Sequence, residues 1–137
     1  MFVLDTDTLI FFFKGLHGVP NKLLATAPGE IGIPTIVRYE LEVGIAKSRA
    51  PRKRRAQLGD LLRLTQQVAF GRAEASASAQ IRATLERNGT PIGPMDTLIA
   101  GTALAAGATL ITRNTREFSR VPGLKVVNWC DDALNGG

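Results

Sequence analysis

Phe2-Val3-Leu4-Asp5-Thr6-Asp7-Thr8 decides how the rest of the chain is read. Phe2, Val3 and Leu4 form a short, wholly apolar run of β-forming residues, the pattern of a strand buried on both faces of a parallel sheet. Asp5 ends the run. Thr6, Asp7 and Thr8 can cap a helix that follows at once and places Leu9, Ile10 and Phe13 among its apolar positions. Asp5 then stands where a buried strand turns into a helix, beyond the carboxyl end of a strand, where open α/β sheets bind their ligands. Taken alone it is a turn and capping residue or a metal ligand, and the local pattern favours the cap.

Working outward, the pattern of short apolar runs and helices repeats. Gly15 to Gly18 breaks the first helix, and a second short helix is expected over 20–27, closed by Pro28 and Gly29. Ile31-Gly32-Ile33 reads as a buried strand, and Pro34-Thr35 opens a helix running to about residue 47. At 100° per residue, Ile36, Val37, Leu41, Val43, Gly44 and Ile45 share one broad arc of that helix, while Arg38 and Glu42 lie opposite as an i,i+4 pair. Glu40 falls inside the apolar arc. A carboxylate there is costly unless paired with a cation, which leaves a buried ion pair with an arginine or a metal ion.

Residues 47–55 form a basic cluster broken by Pro51, leading into a helix over 52–64; much of such a run is a solvated face. Val68-Ala69-Phe70 reads as another strand. An amphipathic helix over 74–87 ends at Asn88-Gly89, a left-handed stop. The rigid turn over 90–94 leads into a helix with Pro94 at its start and Asp96 in its first turn, where the helix dipole favours a carboxylate. Gly107 stops that helix, residues 109–112 form the next buried strand, and the turn carrying Asn114 and Glu117 follows at its end. A last strand is expected over 125–128. This alternation argues for an α/β fold with a mostly parallel sheet, and for one domain over 1–137.

Composition narrows the function classes. Seventeen Lys and Arg against twelve Asp and Glu give a formal charge of +5, a balance that favours polyanionic partners. The single Cys130 excludes an internal disulfide framework and a cysteine-based zinc site, and fits a reducing, cytoplasmic setting. The lone His17, in a glycine-flanked loop, reads as a solvated turn residue, which leaves little support for Cys/His nucleophilic chemistry. Leu9 to Phe13 is far too short to span a bilayer, and no targeting signal is expected.

In a parallel sheet the strand carboxyl ends and the starts of the following helices share one rim, so Asp5, Asp96 and the turn of Asn114 and Glu117 can converge. Three or more carboxylates there repel one another unless a cation sits among them. Oxygen ligands without a Cys or His cluster suit Mg²⁺ or Mn²⁺, and such a site on a basic protein suggests metal-assisted phosphodiester hydrolysis.

These residues resemble a known family. Leu4-Asp5-Thr6-Asp7, Glu40-Leu41-x-x-Gly44, Gly93-Pro94-x-Asp96-x-x-Ile99-Ala100 and Thr112-x-Asn114-x-x-Glu117-Phe118 are similar, in order and spacing, to the motifs of PIN-domain ribonucleases. More closely they resemble VapC toxins of bacterial VapBC toxin-antitoxin systems. The run from Thr112 to Trp129, with Val121-Pro122-Gly123-Leu124, looks like the subgroup that cuts the anticodon region of initiator tRNA. The resemblance implies a three-layer α/β/α PIN-like fold and a Mg²⁺-dependent endoribonuclease, with Mn²⁺ as an alternative ion. Its acidic residues are Asp5, Glu40 and Asp96, with Glu117 added; Asp5 and Asp96 are the direct metal ligands, and Thr6, Asp7 and Asn114 support them. The implied partners are an RNA substrate, in particular tRNA, a VapB-type antitoxin and a second copy in a homodimer, with no membrane.

The chain departs from the family pattern at three positions. Asp7 stands where many members have Asn, Met95 where an aromatic residue is common, and Asn114 where many carry a fourth acid, leaving Glu117 as the carboxylate of that turn. Two other readings stay open: a catalytically inactive PIN-like module that binds RNA or protein, and a metal-dependent DNase or phosphatase of related architecture.

Overall fold

The computed structural model describes residues 1–131. Three-residue and four-residue strands alternate with helices because each apolar run is cut short by a capping or helix-starting residue. The order is β1 (Phe2–Leu4), α1 (Thr6–Lys14), α2 (Val19–Leu24), a 3₁₀ turn (Pro28–Glu30), β2 (Ile31–Pro34), α3 (Thr35–Ala46), α4 (Pro51–Leu64), β3 (Gln66–Val68), α5 (Arg72–Arg87), α6 (Pro94–Ala105), β4 (Thr109–Ile111), α7 (Thr115–Phe118) and β5 (Lys125–Val127). The strands line up as β3-β2-β1-β4-β5 with every pairing parallel. The fold is α/β, a central parallel sheet flanked by helices.

β1 lies at the centre, and its register sets the rim. Val3 faces Gly32 on one side and Leu110 on the other, and Leu4 faces Ile111. The chain runs from β1 outward to β2 and β3, then returns to β4 on the opposite side. The crevice beyond the carboxyl ends of β1 and β4 is therefore the point at which the winding reverses, the preferred ligand position of such sheets. Val3, Leu4, Ile31, Ile33, Leu110 and Ile111 are essentially inaccessible to solvent, as strands covered on both faces require.

Several sequence expectations change. Asp5 is the cap of α1, as its local pattern favoured, its carboxylate accepting the Thr8 N–H, whereas Thr6, Asp7 and Thr8, also offered as caps, lie inside the helix. On α3 the buried stripe is Val37, Leu41 and Ile45, one residue per turn, whereas Val43 and Gly44 face solvent, so the apolar arc is narrower than the pattern suggested. β3 comes two residues early, over polar Gln66 and Gln67, because it is an edge strand with β2 as its one neighbour. α2 ends at Leu24, earlier than expected. His17 is half-buried: its ring meets Phe11 edge-on with centroids 4.7 Å apart.

α5 packs so closely on α6 that a Cβ at Gly101 would collide with Ser78, and the Ser78 hydroxyl is buried there without a hydrogen-bond partner among the described residues. The small residues of α6 thus serve helix–helix packing as well as contact with the sheet. No described helix is long and apolar enough to cross a membrane.

Candidate active site

Asp5 extends the β1–β4 ladder by one step, its N–H bonding to Ile111 O at 3.1 Å, before the chain turns into α1. The residue is 6% exposed. Oδ1 accepts the Thr8 N–H at 2.9 Å and Oδ2 accepts the Thr112 hydroxyl at 2.5 Å. Burial pushes the carboxyl above its ordinary range, and the Thr112 and Thr8 hydrogen bonds act against that push. Asp5 is thus the helix cap and the acceptor that ties α1 to the end of β4.

Asp96 occupies the first turn of α6, which Pro94 starts. The helix dipole favours its ionised form, yet its carboxyl is pushed up to about 6, first by burial and then by the charges of Asp5, Glu117, Glu40 and Asp7. Five carboxylates contributed by α1 and its cap, α3, α6 and α7 therefore act on one place. The convergence expected from the sequence is present in the electrostatics of Asp96.

Hydrogen bonds tie the rest of the set together. Glu40 is half-buried on α3 and its Oε1 accepts the Thr6 hydroxyl at 2.6 Å, so an α3–α1 contact is a carboxylate–hydroxyl pair, and among the described residues no ion pair with an arginine is found. Glu42, two residues on, is exposed and pairs with Arg38 at 3.1 Å. At the end of β4 the Asn114 N–H donates to Thr112 Oγ1 at 3.0 Å, and Asn114 Nδ2 donates to Glu117 Oε2 at 3.0 Å. Asp7 is exposed and adds charge to the rim.

Sequence reasoning missed Thr112 as a member of this group. It is fully buried, and its hydroxyl links Asp5 to the Asn114–Glu117 turn. The signal was a polar residue ending an otherwise apolar strand, just before the Asn114 turn. Also missed was the contact of Arg113 with Phe11, in which the guanidinium carbon lies 5.7 Å from the ring centroid.

The donor set fits a hard divalent cation: it is made of oxygen, it is anionic, and the high pKa of Asp96 is relieved by added positive charge. Among the described residues no three His, Cys, Asp or Glu side chains form a group already set to hold a metal ion.

A central parallel sheet of this order, with acids collected beyond β1 and β4, is a PIN domain: the PIN domain family model matches residues 2–124, and the chain belongs to that family. It is 36% identical over 129 residues to the tRNA(fMet)-specific endonuclease VapC of Salmonella typhimurium, covering 94% of this chain and 98% of that one. It is 33% identical over 131 residues to Ribonuclease VapC2 of Rickettsia felis, with coverages of 94% and 98%. In structure it matches a chain of the DNA-bound VapBC crystal structure from Salmonella typhimurium with a TM-score of 0.87 at 35% identity, covering 94% and 98% of the two chains. Within the family, sequence and structure alike put it among the VapC proteins.

Proposed function

We propose that this chain is the toxin of a VapBC-type toxin-antitoxin pair, a metal-dependent endoribonuclease that hydrolyses RNA phosphodiesters, with the anticodon region of initiator tRNA as its target. The observation that carries the reading is the carboxyl of Asp96, held at about 6 beside four other acids on a chain of net charge +5. Structural acids are ordinarily paired with cations; here the charges of four others push the Asp96 carboxyl up, an arrangement suited to a divalent ion and a polyanion.

In this reading Asp5 and Asp96 hold the ion, Mg²⁺ with Mn²⁺ as a substitute, and Glu40 and Glu117 complete the acidic set. A divalent ion at such a site supplies charge stabilisation for the scissile phosphate and a more acidic water. The chain's own groups prepare the place. Thr112 and Thr8 donate to Asp5 and favour its carboxylate form, Thr6 orients Glu40, and Asn114 orients Glu117. Asp7 adds negative charge at the rim. Glu40 and Glu117, each with one oxygen held by a donor, are the groups available to take a proton from water.

The VapB-type antitoxin belongs to the same reading. A groove between α1, α2 and α4, lined by Phe12, Phe13, Leu23, Leu24, Leu61 and Leu64, offers an apolar seat for it, and a basic group reaching the acids would offset their repulsion. A single PIN domain, a homodimer and a cytoplasmic setting complete the proposal.

Incubating the protein with tRNA, single-stranded DNA and a phosphomonoester, with Mg²⁺, Mn²⁺ or EDTA, tests it. Cleavage of tRNA alone, abolished by EDTA and restored by either ion, is expected. RNA cleavage that survives EDTA, or turnover confined to DNA or the monoester, overturns it.

A further inference from the structure

Beside the acids lies a second cluster of different chemistry. The Arg113 guanidinium carbon is 5.7 Å from the Phe11 ring centroid, within cation–π range, and the His17 ring meets the same Phe11 edge-on at 4.7 Å and 89°. Phe11 and His17 are half-buried and Arg113 is exposed, so the stack has a solvent-facing side.

Its placement is fixed by the same elements that build the acidic site. Arg113 directly follows Thr112, whose hydroxyl binds Asp5. Phe11 lies one turn along α1 from Asp7, on the same helix face. The stack is therefore built on the two segments that follow β1 and β4, the ones that also carry Asp7 and Thr112.

The backbone at His17 is independent support. At φ 59° it is the one non-glycine residue in the left-handed region among the described residues, a conformation uncommon for residues with a side chain, though His, like Asn and Asp, enters it more readily than most. It is held there by its own carbonyl, which accepts the Asp131 N–H at 2.8 Å, while Asp131 pairs with Lys22 at 3.4 Å. This long-range clamp fixes the loop that sets the imidazole against Phe11.

We propose that Phe11, His17 and Arg113 form a nucleotide-binding shelf, on which a base of single-stranded RNA flanking the scissile phosphate stacks. Aromatic rings and guanidinium planes are the surfaces that hold unpaired bases, and a guanidinium also has N–H donors for phosphate. A paired acidic centre and cationic shelf would fix the strand in one register: an ion held by the acids would take the phosphate to be cut, and the shelf would take its neighbour. The inference rests on the ribonuclease reading.

The test uses the full chain carrying Asp96→Asn, which prevents cleavage, and a short single-stranded RNA with a fluorescent adenine analogue at successive positions. Binding is expected to quench the analogue at one position. Phe11→Leu and Arg113→Gln should each remove the quench and weaken Kd about tenfold. Arg113→Lys should keep most of the affinity and lose the quench, and an RNA abasic at that position should bind wild type and variants alike. Mn²⁺ affinity, measured by calorimetry in the otherwise unaltered chain, should not change. Unaltered quench and Kd in the Arg113 variants, whose exposed site leaves the fold intact, overturn the shelf, as does loss of Mn²⁺ affinity. If the wild type cuts no RNA yet shows shelf-dependent quenching, the activity reading falls and the shelf stands. If it cuts RNA and the shelf variants match it, the shelf alone falls.

Discussion

The Thr112 hydroxyl donates to Asp5 Oδ2 across 107 residues of sequence, and its own oxygen accepts the Asn114 N–H. The Asn114 N–H directs the hydroxyl proton to Asp5, and Thr8 can only donate to the other oxygen. Both neighbours therefore favour the carboxylate over the neutral acid, against the pull of burial.

Thr112→Val removes that donor while keeping the shape of the side chain. It should destabilise the protein by about 2 kcal/mol, the usual scale for a buried hydrogen bond to a charged group, and push the Asp5 carboxyl still higher. Thr112→Ser should restore both stability and Mn²⁺ affinity. Urea melts and Mn²⁺ titrations of the two variants check this; a valine variant as stable and as metal-avid as wild type contradicts it.

For Asp96 the sign of the pH effect follows from its raised carboxyl. The folded protein binds a proton at Asp96 up to about pH 6, whereas the unfolded chain releases it near 3.8. The stabilising contribution of the neutral acid is thus present at low pH and is lost as pH rises between those values. Because Asp96 is only half-buried, solvent screening leaves ~1 kcal/mol of this linkage. Metal-free protein should lose stability over that window, Asp96→Asn should flatten the decline and abolish cleavage, and millimolar Mg²⁺ should oppose it. Thermal melts against pH, with and without metal, read the effect.

The two glutamates of α3 should behave differently. Glu40→Gln weakens the charge at the site and should cut turnover sharply, whereas Glu42→Gln should change stability by a few tenths of a kcal/mol, as for a surface i,i+4 pair, and leave turnover alone. Equal effects on turnover would separate Glu40 from the reaction.

Arg52, Lys53 and Arg54 stand in the first turn of α4, where the helix dipole disfavours cations, and Arg55 follows at the start of the second. They point in different directions: Arg54 is half-buried and bonds Gln57, and the other three are exposed. If one or two touch RNA phosphates, changing all four to Gln should lower the slope of log K against log salt by about 1, since each contact contributes roughly 0.7 for a single strand. An unchanged slope assigns these residues to the solvated surface.

How far the sequence could be read depended on whether local pattern or distant contact set each feature. β1, the Asp5 turn, the Pro94 helix start and the stop at Gly107 are local, and they appear where the pattern put them. The inward turn of Glu40 and the outward turn of Glu42 also followed from helical phase. β3 did not, because an edge strand needs no apolar alternation and Gln66 and Gln67 gave none. Nor did Thr112, whose meaning lies in a carboxylate at the far end of the chain, or the left-handed backbone of His17, which depends on Asp131.

The central position of β1 has a consequence for biosynthesis. Its two neighbours come from opposite halves of the chain, β2 at residues 31–34 and β4 at 109–111. A nascent chain that has emerged only as far as α6 possesses Asp5, Glu40 and Asp96 but lacks the strand that seats Asp5 and the hydroxyl that orients it. Non-local parallel pairing of this kind forms late and slowly. A partial product short of Thr112 lacks the hydroxyl that bonds Asp5, so the Asp5 carboxylate gains its full set of partners only late in synthesis.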